Sequence, residues 1–497
     1  MNDRKKPTGP GASGLVLDEP LLWERGRPGR SGMSLVEAGT PPAALPPDLA
    51  GPGPAWPDLC EPEVVRHYTR LSTWNFGVDT GMYPLGSCTM KYNPKIHETL
   101  AALPGFAKAH PLLPEEAAQG ALRLIHELEA FLAEIVGLEA ASLQPAAGAH
   151  GELCGMLMIA AWHRHNGGRR GKVLIPDTAH GTNPASAAMC GFQEVKVPLG
   201  PAGRIETEAV ARLMDDDTAG IMATNPNTLG LFEANLPEIS RLVHERGGLV
   251  YADGANLNAI MGRIDLEKAG VDVVHYNLHK SMSTPHGGGG PGAGPVAVGK
   301  RLLPFLPGPR TVLRDGSYVW NRDLPLSIGR LHSFHGQFAV CLRAYAYILS
   351  LGREIRAASG LAVLAANYLQ EKLKPAFDLP FDRRCMHECV FTDARQKKYG
   401  VTTLDLAKRL IDLGYHPPTI YFPLVVGGAM MIEPTENESK EDLDAFADAL
   451  LQAASEAASD PDILRRAPVR SFAGRLDETA AARRPRLTGD MGKAGHA

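Results

Sequence analysis

The stretch VDVVHYNLHK (271–280) is followed within a few residues by HGGGGPGAGP (286–295). A short apolar run rich in valine reads as a strand, and the polar tail that ends it places Lys280 at the strand's carboxyl end. Six glycines then fall within eight residues, 287–294. Glycine-rich loops commonly bind phosphate, but here the lysine precedes the glycines and no Gly-Lys-Ser/Thr follows them. That order excludes a P-loop, whose lysine must follow the loop to reach the outer phosphates. Lys280 therefore needs a different use.

Outward from this stretch, similar runs recur: KVLIP (172–176), EVKVPL (194–199), AGIMATNP (219–226), GLVYADGAN (248–256) and GPVAVG (294–299). Helical patterns lie between or beside them, among them LPEISRLVHERG (236–247) and a longer one at about 114–137. Alternating short strands and helices predict a mostly parallel, seven-stranded sheet covered on both faces. From about 350 the pattern changes. A helix at about 353–373, the strand-like HECVFTD (387–393), a helix near 403–413, TIYFPL (419–424), AMMIEP (429–434) and a helix near 440–456 predict a smaller α+β domain. The expected divisions are an extended, Pro- and Gly-rich arm at 1–60, a large α/β domain at 61–350, a small domain at 351–465 and a mobile tail at 466–497.

The chain has 497 residues, 44% hydrophobic and 21% charged, with a net charge of −4. Nothing in that balance points to nucleic acid or to an anionic membrane. No run of eighteen apolar residues is present. Seven cysteines at irregular spacing, without a CxxC pair, suit a reducing compartment. The first twenty residues lack the apolar core of a signal peptide, so the expected location is cytoplasmic.

Open parallel sheets bind ligands at the carboxyl ends of their strands. The polar clusters QPAAGAHGE (144–152), DTAHGTNP (177–184), TNPNTLG (224–230), DGAN (253–256) and NLHK (277–280) all fall there. A carboxylate at one strand end and a lysine at a later one is what pyridoxal phosphate requires. The lysine amine forms a Schiff base with its aldehyde, and the carboxylate keeps the ring nitrogen protonated so that the ring accepts electrons. Asp253 and Lys280 fill those two positions. The backbone amides of Ala147, Gly148 and Ala149, at a helix start, could hold the phosphate, and His150 could stack on the ring. Each element alone has a plainer reading: a surface lysine, a turn-capping aspartate, a structural histidine. Their order along one sheet is what argues for the site.

At this level of detail the sequence resembles glycine dehydrogenase (decarboxylating), the P-protein family of the glycine cleavage system. The resemblance runs from about residue 20 to 485. It is carried by MYPLGSCTMKYNPK (82–95), QPAAGAHGE, DTAHGTNPASAAMCGF (177–192), TNPNTLGLFE (224–233), YADGANLNAIMG (251–262), TPHGGGGPGAGP (284–295), CMHECVFT (385–392) and HPPTIYFPLVVGGAMMIEPTE (416–436). Members of the family occur as one long chain or as two subunits, and this chain is similar to the pyridoxal-phosphate-carrying half. The resemblance implies the fold-type-I pyridoxal-phosphate transferase fold. It also implies glycine decarboxylation, with the aminomethyl group passed to the lipoyl arm of the H-protein. The implied partners are glycine dehydrogenase subunit 1 and lipoylated H-protein, with functional association to the T-protein and L-protein.

The resemblance also implies roles for single residues. Thr224 or Asn225 would reach the pyridoxal oxygen, and His279 the phosphate or the glycine carboxylate. Asn277 and His180 would line the site, and His286 would donate a proton near the lipoyl sulfur. Cys88 is expected near the mouth, as a structural thiol, and Pro417 and Pro418 shape the small domain. No metal is expected. Ser281 and Met282 stand where the family more often has threonine and an aromatic residue. The remaining alternatives are another fold-type-I enzyme, such as a desulfurase or aminotransferase, and a non-catalytic scaffold subunit. A scaffold would be expected to lack the Lys–Asp pair.

Overall fold

The computed structural model describes residues 19–33, 36, 39, 40, 45–51, 56–286, 292–485 and 487. The expectations for the first 18 residues, the last ten and the glycines at 287–290 therefore lie outside the described residues.

Seven strands form the main sheet: β1 (Ala140–Ser142), β2 (Lys172–Pro176), β3 (Gln193–Val197), β4 (Thr218–Thr224), β5 (Leu249–Asp253), β6 (Val273–His275) and β7 (Val296–Val298). Their order across the sheet is β1-β7-β6-β5-β4-β2-β3. β2 to β6 run parallel, and β7 lies antiparallel to both β6 and β1. The expected runs all become strands, each trimmed at the end where its polar residues leave the sheet.

Both faces of the inner strands are buried, which explains why β2, β4, β5 and β6 read as apolar runs, whereas the edge strand β3 is largely exposed. Val250, Ala252, Val274 and Ala297 pack into one core, with helix Gln119–Val136 over them. Their sequence neighbours Leu249, Tyr251, Val273, Val296 and Val298 pack into the opposite core, with helix Gly148–His165. The side chains alternate because successive residues of a strand point to opposite faces.

A second sheet, β10-β12-β11, is antiparallel and consists of Thr419–Ile420 (β11) between Cys389–Thr392 (β10) and Ala429–Ile432 (β12) in sequence order. The hairpin β8 (Arg310–Arg314) and β9 (Ser317–Asn321) precedes it in the chain. Helices Ile355–Leu373, Thr403–Asp412 and Lys440–Ser459 cover the second sheet and share its core, built on Phe377, Phe391, Phe446 and Ile432. Met82 joins that core from far upstream. Leu85 bridges to Ile432, and Glu433 N–H donates to Pro84 O, so residues 82–91 run beside the second sheet. No described helix is long and apolar enough to cross a membrane.

Candidate active site

The strand ends at the centre of the main sheet converge. β4 and β5 pair with Thr224 opposite Asp253, and His275 ends the neighbouring β6. Asp253 is 1% exposed. Its Oδ1 accepts from Ala255 N–H at 2.9 Å and its Oδ2 from Asn183 Nδ2 at 3.3 Å, with His275 Nε2 3.6 Å away. Burial alone would raise its pKa, but His275, His180 and the Ala255 amide outweigh burial and hold it below the usual value. Glu152, buried on the nearby helix Gly148–His165, goes the other way. Burial and the Asp253 charge push it up to about 8. Two neighbouring carboxyls are thus separated into an ionised one and a protonated one, a pattern typical of acid–base sites.

Lys280 lies in the single helical turn Leu278–Ser281, just beyond β6, and is 8% exposed. Its Nζ donates to Ser87 O at 2.9 Å. Asn277 caps this turn and spans two imidazoles, His275 Nε2 at 2.9 Å and His279 Nε2 at 3.2 Å. The start of helix Gly148–His165 packs on Asn277 so closely that a Cβ on Gly148 would fall 2.7 Å from Asn277 Nδ2. The described part of the glycine-rich loop closes the other side. A Cβ on Gly294 would sit 1.9 Å from Ala147 O, and one on Gly292 would sit 2.1 Å from His279 Nδ1. These two positions must be glycine because the backbone after Lys280 lies directly on the 146–149 turn and on His279. The helix start itself leaves amides at Gly148, Ala149 and His150 without intrahelical acceptors, the arrangement that binds anions.

The remaining expected residues divide. His279 lies inside the cluster, where burial and then His286 push its pKa down to about 3, so it is a neutral imidazole. His286 is 4.9 Å ring to ring from His279 and 3.8 Å from Cys88 Sγ. His180 contacts Ser87 Oγ at 2.7 Å. Burial raises the Cys88 pKa, which keeps it a thiol. His150 is half-buried and its Nδ1 accepts from Ala146 N–H at 3.2 Å. Asn225 bonds the Glu233 backbone through both its amide atoms, at 3.0 and 3.4 Å, and so braces its own loop. Thr224 Oγ1 has no partner among the described residues.

Sequence reasoning missed Ser87, Glu152, Asn183, His275, Glu388 and Glu433. All six fall within the stretches quoted above, Glu152 two residues from His150 and Asn183 three from His180. Ser87, Glu388 and Glu433 meet only through the second sheet, for Ser87 N–H donates to Glu388 Oε2 at 2.7 Å. Cys385 lies just before β10 and Cys389 is its first residue, and both are buried.

These residues fit pyridoxal phosphate. An ionised, buried carboxylate stands ready for a ring nitrogen, a buried lysine amine for an aldehyde, and a helix start for a phosphate. Three buried acceptors or donors, Thr224 Oγ1, Asn183 Oδ1 and Ser281 Oγ, lack partners among the described residues and are free to take a polar ligand.

Comparison with known proteins agrees. Residues 358–463 match the family model described as "Glycine dehydrogenase, C-terminal domain", and residues 152–308 match "Aminotransferase class-V". A probable glycine dehydrogenase (decarboxylating) subunit 2 from Caldanaerobacter subterraneus is 57% identical over 86% of this chain and 89% of its own. Proteins of the same name from Listeria monocytogenes and Halalkalibacterium halodurans are each 52% identical, over 94% and 95% of this chain and 97% and 98% of theirs. Among solved structures, the inhibitor-bound glycine decarboxylase (P-protein) of the glycine cleavage system superposes with a TM-score of 0.69 at 22% identity, covering 82% of this chain and 93% of that one. A Lactobacillus brevis glutamate decarboxylase superposes with a TM-score of 0.62 at 16% identity, covering 86% of this chain and 96% of that one. The fold is that of the fold-type-I pyridoxal-phosphate enzymes.

Proposed function

We propose a role for each site residue on one premise: the chain belongs to the glycine dehydrogenase (decarboxylating) subunit 2 family. Its function is glycine decarboxylation in the glycine cleavage system, with pyridoxal 5'-phosphate as cofactor. When bound, that cofactor supplies a ring that takes up the electron pair left on glycine's carbon as CO2 departs.

The chain's own residues prepare that event. Lys280 would hold the cofactor through Nζ until the amine of glycine replaces it. Asp253, kept ionised, holds a proton on the ring nitrogen, and Glu152, kept neutral, adds no competing charge beside it. Ala147, Gly148 and Ala149 present amides to the phosphate, with Asn277 and neutral His279 beside them. His150 covers the ring, and Thr224 and Asn183 offer their unpartnered atoms to the ring's polar edge. His286, next to His279 and Cys88, is placed to give a proton at the lipoyl sulfur. The acceptor of the aminomethyl group is the lipoyl arm of the H-protein, and the partner in assembly is subunit 1, with the T-protein and L-protein acting on the later intermediates. The one observation that carries this reading is that buried Asp253 and Lys280, at the ends of neighbouring strands, feel each other's charge, with the Gly148 helix start packed on Asn277 beside Lys280.

The test is spectroscopic. Reconstituted with pyridoxal phosphate, the purified chain shows the long-wavelength absorbance of a lysine-bound cofactor, and borohydride fixes the cofactor to the peptide containing Lys280. Lys280→Ala shows neither. A folded chain that takes up no cofactor would sink the assignment. A chain that binds it without responding to glycine, even with subunit 1 and lipoylated H-protein present, would move the function to another enzyme of this fold.

A further inference from the structure

Three fully buried side chains next to Lys280 have no part in the roles assigned above. His387 and Glu388 lie just before β10, and Glu433 lies just past β12. One polar atom from each falls within 4.8 Å of the other two. His387 Nε2 is 3.9 Å from Glu388 Oε2 and 3.9 Å from Glu433 Oε1. Both His387 nitrogens, Glu388 Oε1 and Glu433 Oε2 have no hydrogen-bond partner among the described residues. The other carboxylate oxygens are fixed by the 87–89 turn. Ser87 N–H donates to Glu388 Oε2 at 2.7 Å, and Thr89 Oγ1 donates to Glu433 Oε1. Ser87 is also the residue whose carbonyl accepts from Lys280 Nζ, at 2.9 Å. One residue therefore ties the lysine amine to the carboxyl pair.

Two carboxyl groups this close and this dry cannot both ionise. The charged or titratable groups facing them are few. Glu388 faces Glu433, Lys280, Cys385 and Cys389, while Glu433 faces Lys280, Lys91 and Cys88, through both its backbone and its thiol, which burial keeps protonated. Cys389 is held as a thiol, and Lys91 is already paired with Glu436 at 2.7 Å. His387 supplies no charge, because burial pushes its pKa down to about 3. Burial raises both glutamates, Glu433 up to about 7 and Glu388 further because Glu433 is beside it. Lys280 is the one cation facing both that has no carboxylate partner of its own among the described residues.

We propose that Glu388 and Glu433 share one proton and present a single negative charge to Lys280, stabilising its ammonium form whenever the amine is free. The inference rests on Lys280 being the cofactor lysine. Both glutamates are positioning residues that set the protonation of the amine rather than touch the substrate.

Proton sharing has a signature that two independent carboxylates lack. If either glutamate is neutralised, the other loses its like-charged neighbour, ionises and keeps the charge at minus one. Only the double change removes it. The experiment uses the full-length chain without cofactor. It measures the rate at which Lys280 takes up pyridoxal phosphate against pH, with borohydride trapping and the labelled peptide identified by mass. The neutral amine is the reactive form, so the midpoint reports the ammonium's acidity. Glu388→Gln and Glu433→Gln should each leave the midpoint nearly unchanged. The double variant should lower it by about one pH unit, a tenfold change in acidity.

A second readout does not depend on the double variant folding. Difference infrared spectra of the wild-type chain at neutral pH should show one protonated buried carboxyl at this pair, and its band should vanish in either single variant. Equal, additive shifts from the two single variants would overturn the proposal. So would an unmoved double variant, a missing infrared band, or a stoichiometric divalent ion in the purified chain taking the proton's place. If the wild-type chain fails to label at Lys280, the cofactor-lysine reading falls, and the infrared band alone decides the pair.

Discussion

Asp253 keeps its charge where burial alone would remove it, because His275, His180 and the Ala255 amide all favour the ionised form. Asp253→Asn preserves shape and removes only that charge. Glycine decarboxylation by the assembled enzyme should fall by about 10²- to 10⁴-fold. Cofactor should still be trapped on Lys280, and equal loss of trapping would mean that the residue is a binding group instead. Gly294 makes a different demand. A Cβ there would meet the Ala147 carbonyl at 1.9 Å and the Gly148 nitrogen at 2.7 Å, both backbone atoms that cannot swing aside. Gly294→Ala should therefore weaken pyridoxal phosphate binding about tenfold or more, measured by titrating the cofactor-free chain and following absorbance. Asp253 and Lys280 are legible in the sequence because each ends an apolar run, and covalent cofactor chemistry calls for one acid and one amine in that order. Ser87 and Glu388 are not, since their hydrogen bond joins residues 301 positions apart. Thr89 and Glu433 are 344 apart. No local pattern announces a contact of that range.

At the level of elements, the segment Met82–Lys91 links the two sheets and ends in a buried cation. Lys91 Nζ meets Glu436 Oε1 at 2.7 Å, Tyr347 OH at 3.1 Å and Ser281 O at 2.8 Å, directly after Lys280. Burial pulls the Lys91 pKa down, but Glu436 and Tyr347 together pull harder and leave it raised. Its stabilising charge is thus fully present below its ordinary value of 10.5 and is lost only as pH climbs above that. Lys91→Met leaves Glu436 buried without its cation. It should cost about 3–5 kcal/mol in denaturant unfolding, with the same loss at every pH from mildly acidic to mildly alkaline. A loss below about 1 kcal/mol would mean that Glu436 finds water instead. The inner strands of the central sheet were legible because both their faces are buried. Helix Phe338–Leu351 was not, since FAVCLRAYAYILSL is almost unbroken apolar sequence and suits a buried strand equally well. β1, three residues long, is too short to leave any pattern.

Over the whole molecule, buried ionisable groups pull stability in two directions with pH. Nine histidines have lowered pKa values, chiefly through burial: His97, His150, His163, His180, His275, His279, His286, His387 and His416. The unfolded chain binds more protons than the folded one at these sites below pH 6.5, so they make stability rise as pH climbs to 6.5. Five glutamates are raised by burial: Glu152 to about 8, Glu233, Glu433 and Glu438 to about 7, and Glu388 well above its usual value. Here the folded chain holds the extra protons. Stability contributed by these sites is full below 4.5 and drains away as pH rises through 7 and 8. Between 4.5 and 6.5 the histidines and the glutamates pull stability in opposite directions. Above 6.5 the histidines are neutral in both states, and only the glutamates still act. The cofactor-free chain should therefore have its highest Tm between about pH 4.5 and 6.5, with a decline on the alkaline side as well as on the acid side, measured by calorimetry at constant ionic strength. Glu388→Gln/Glu433→Gln should flatten the alkaline limb, because the proton that the pair shares and loses there is gone. A Tm that keeps rising to pH 8 would mean that these carboxyls are ionised in the folded chain, with cations or water compensating them inside the core.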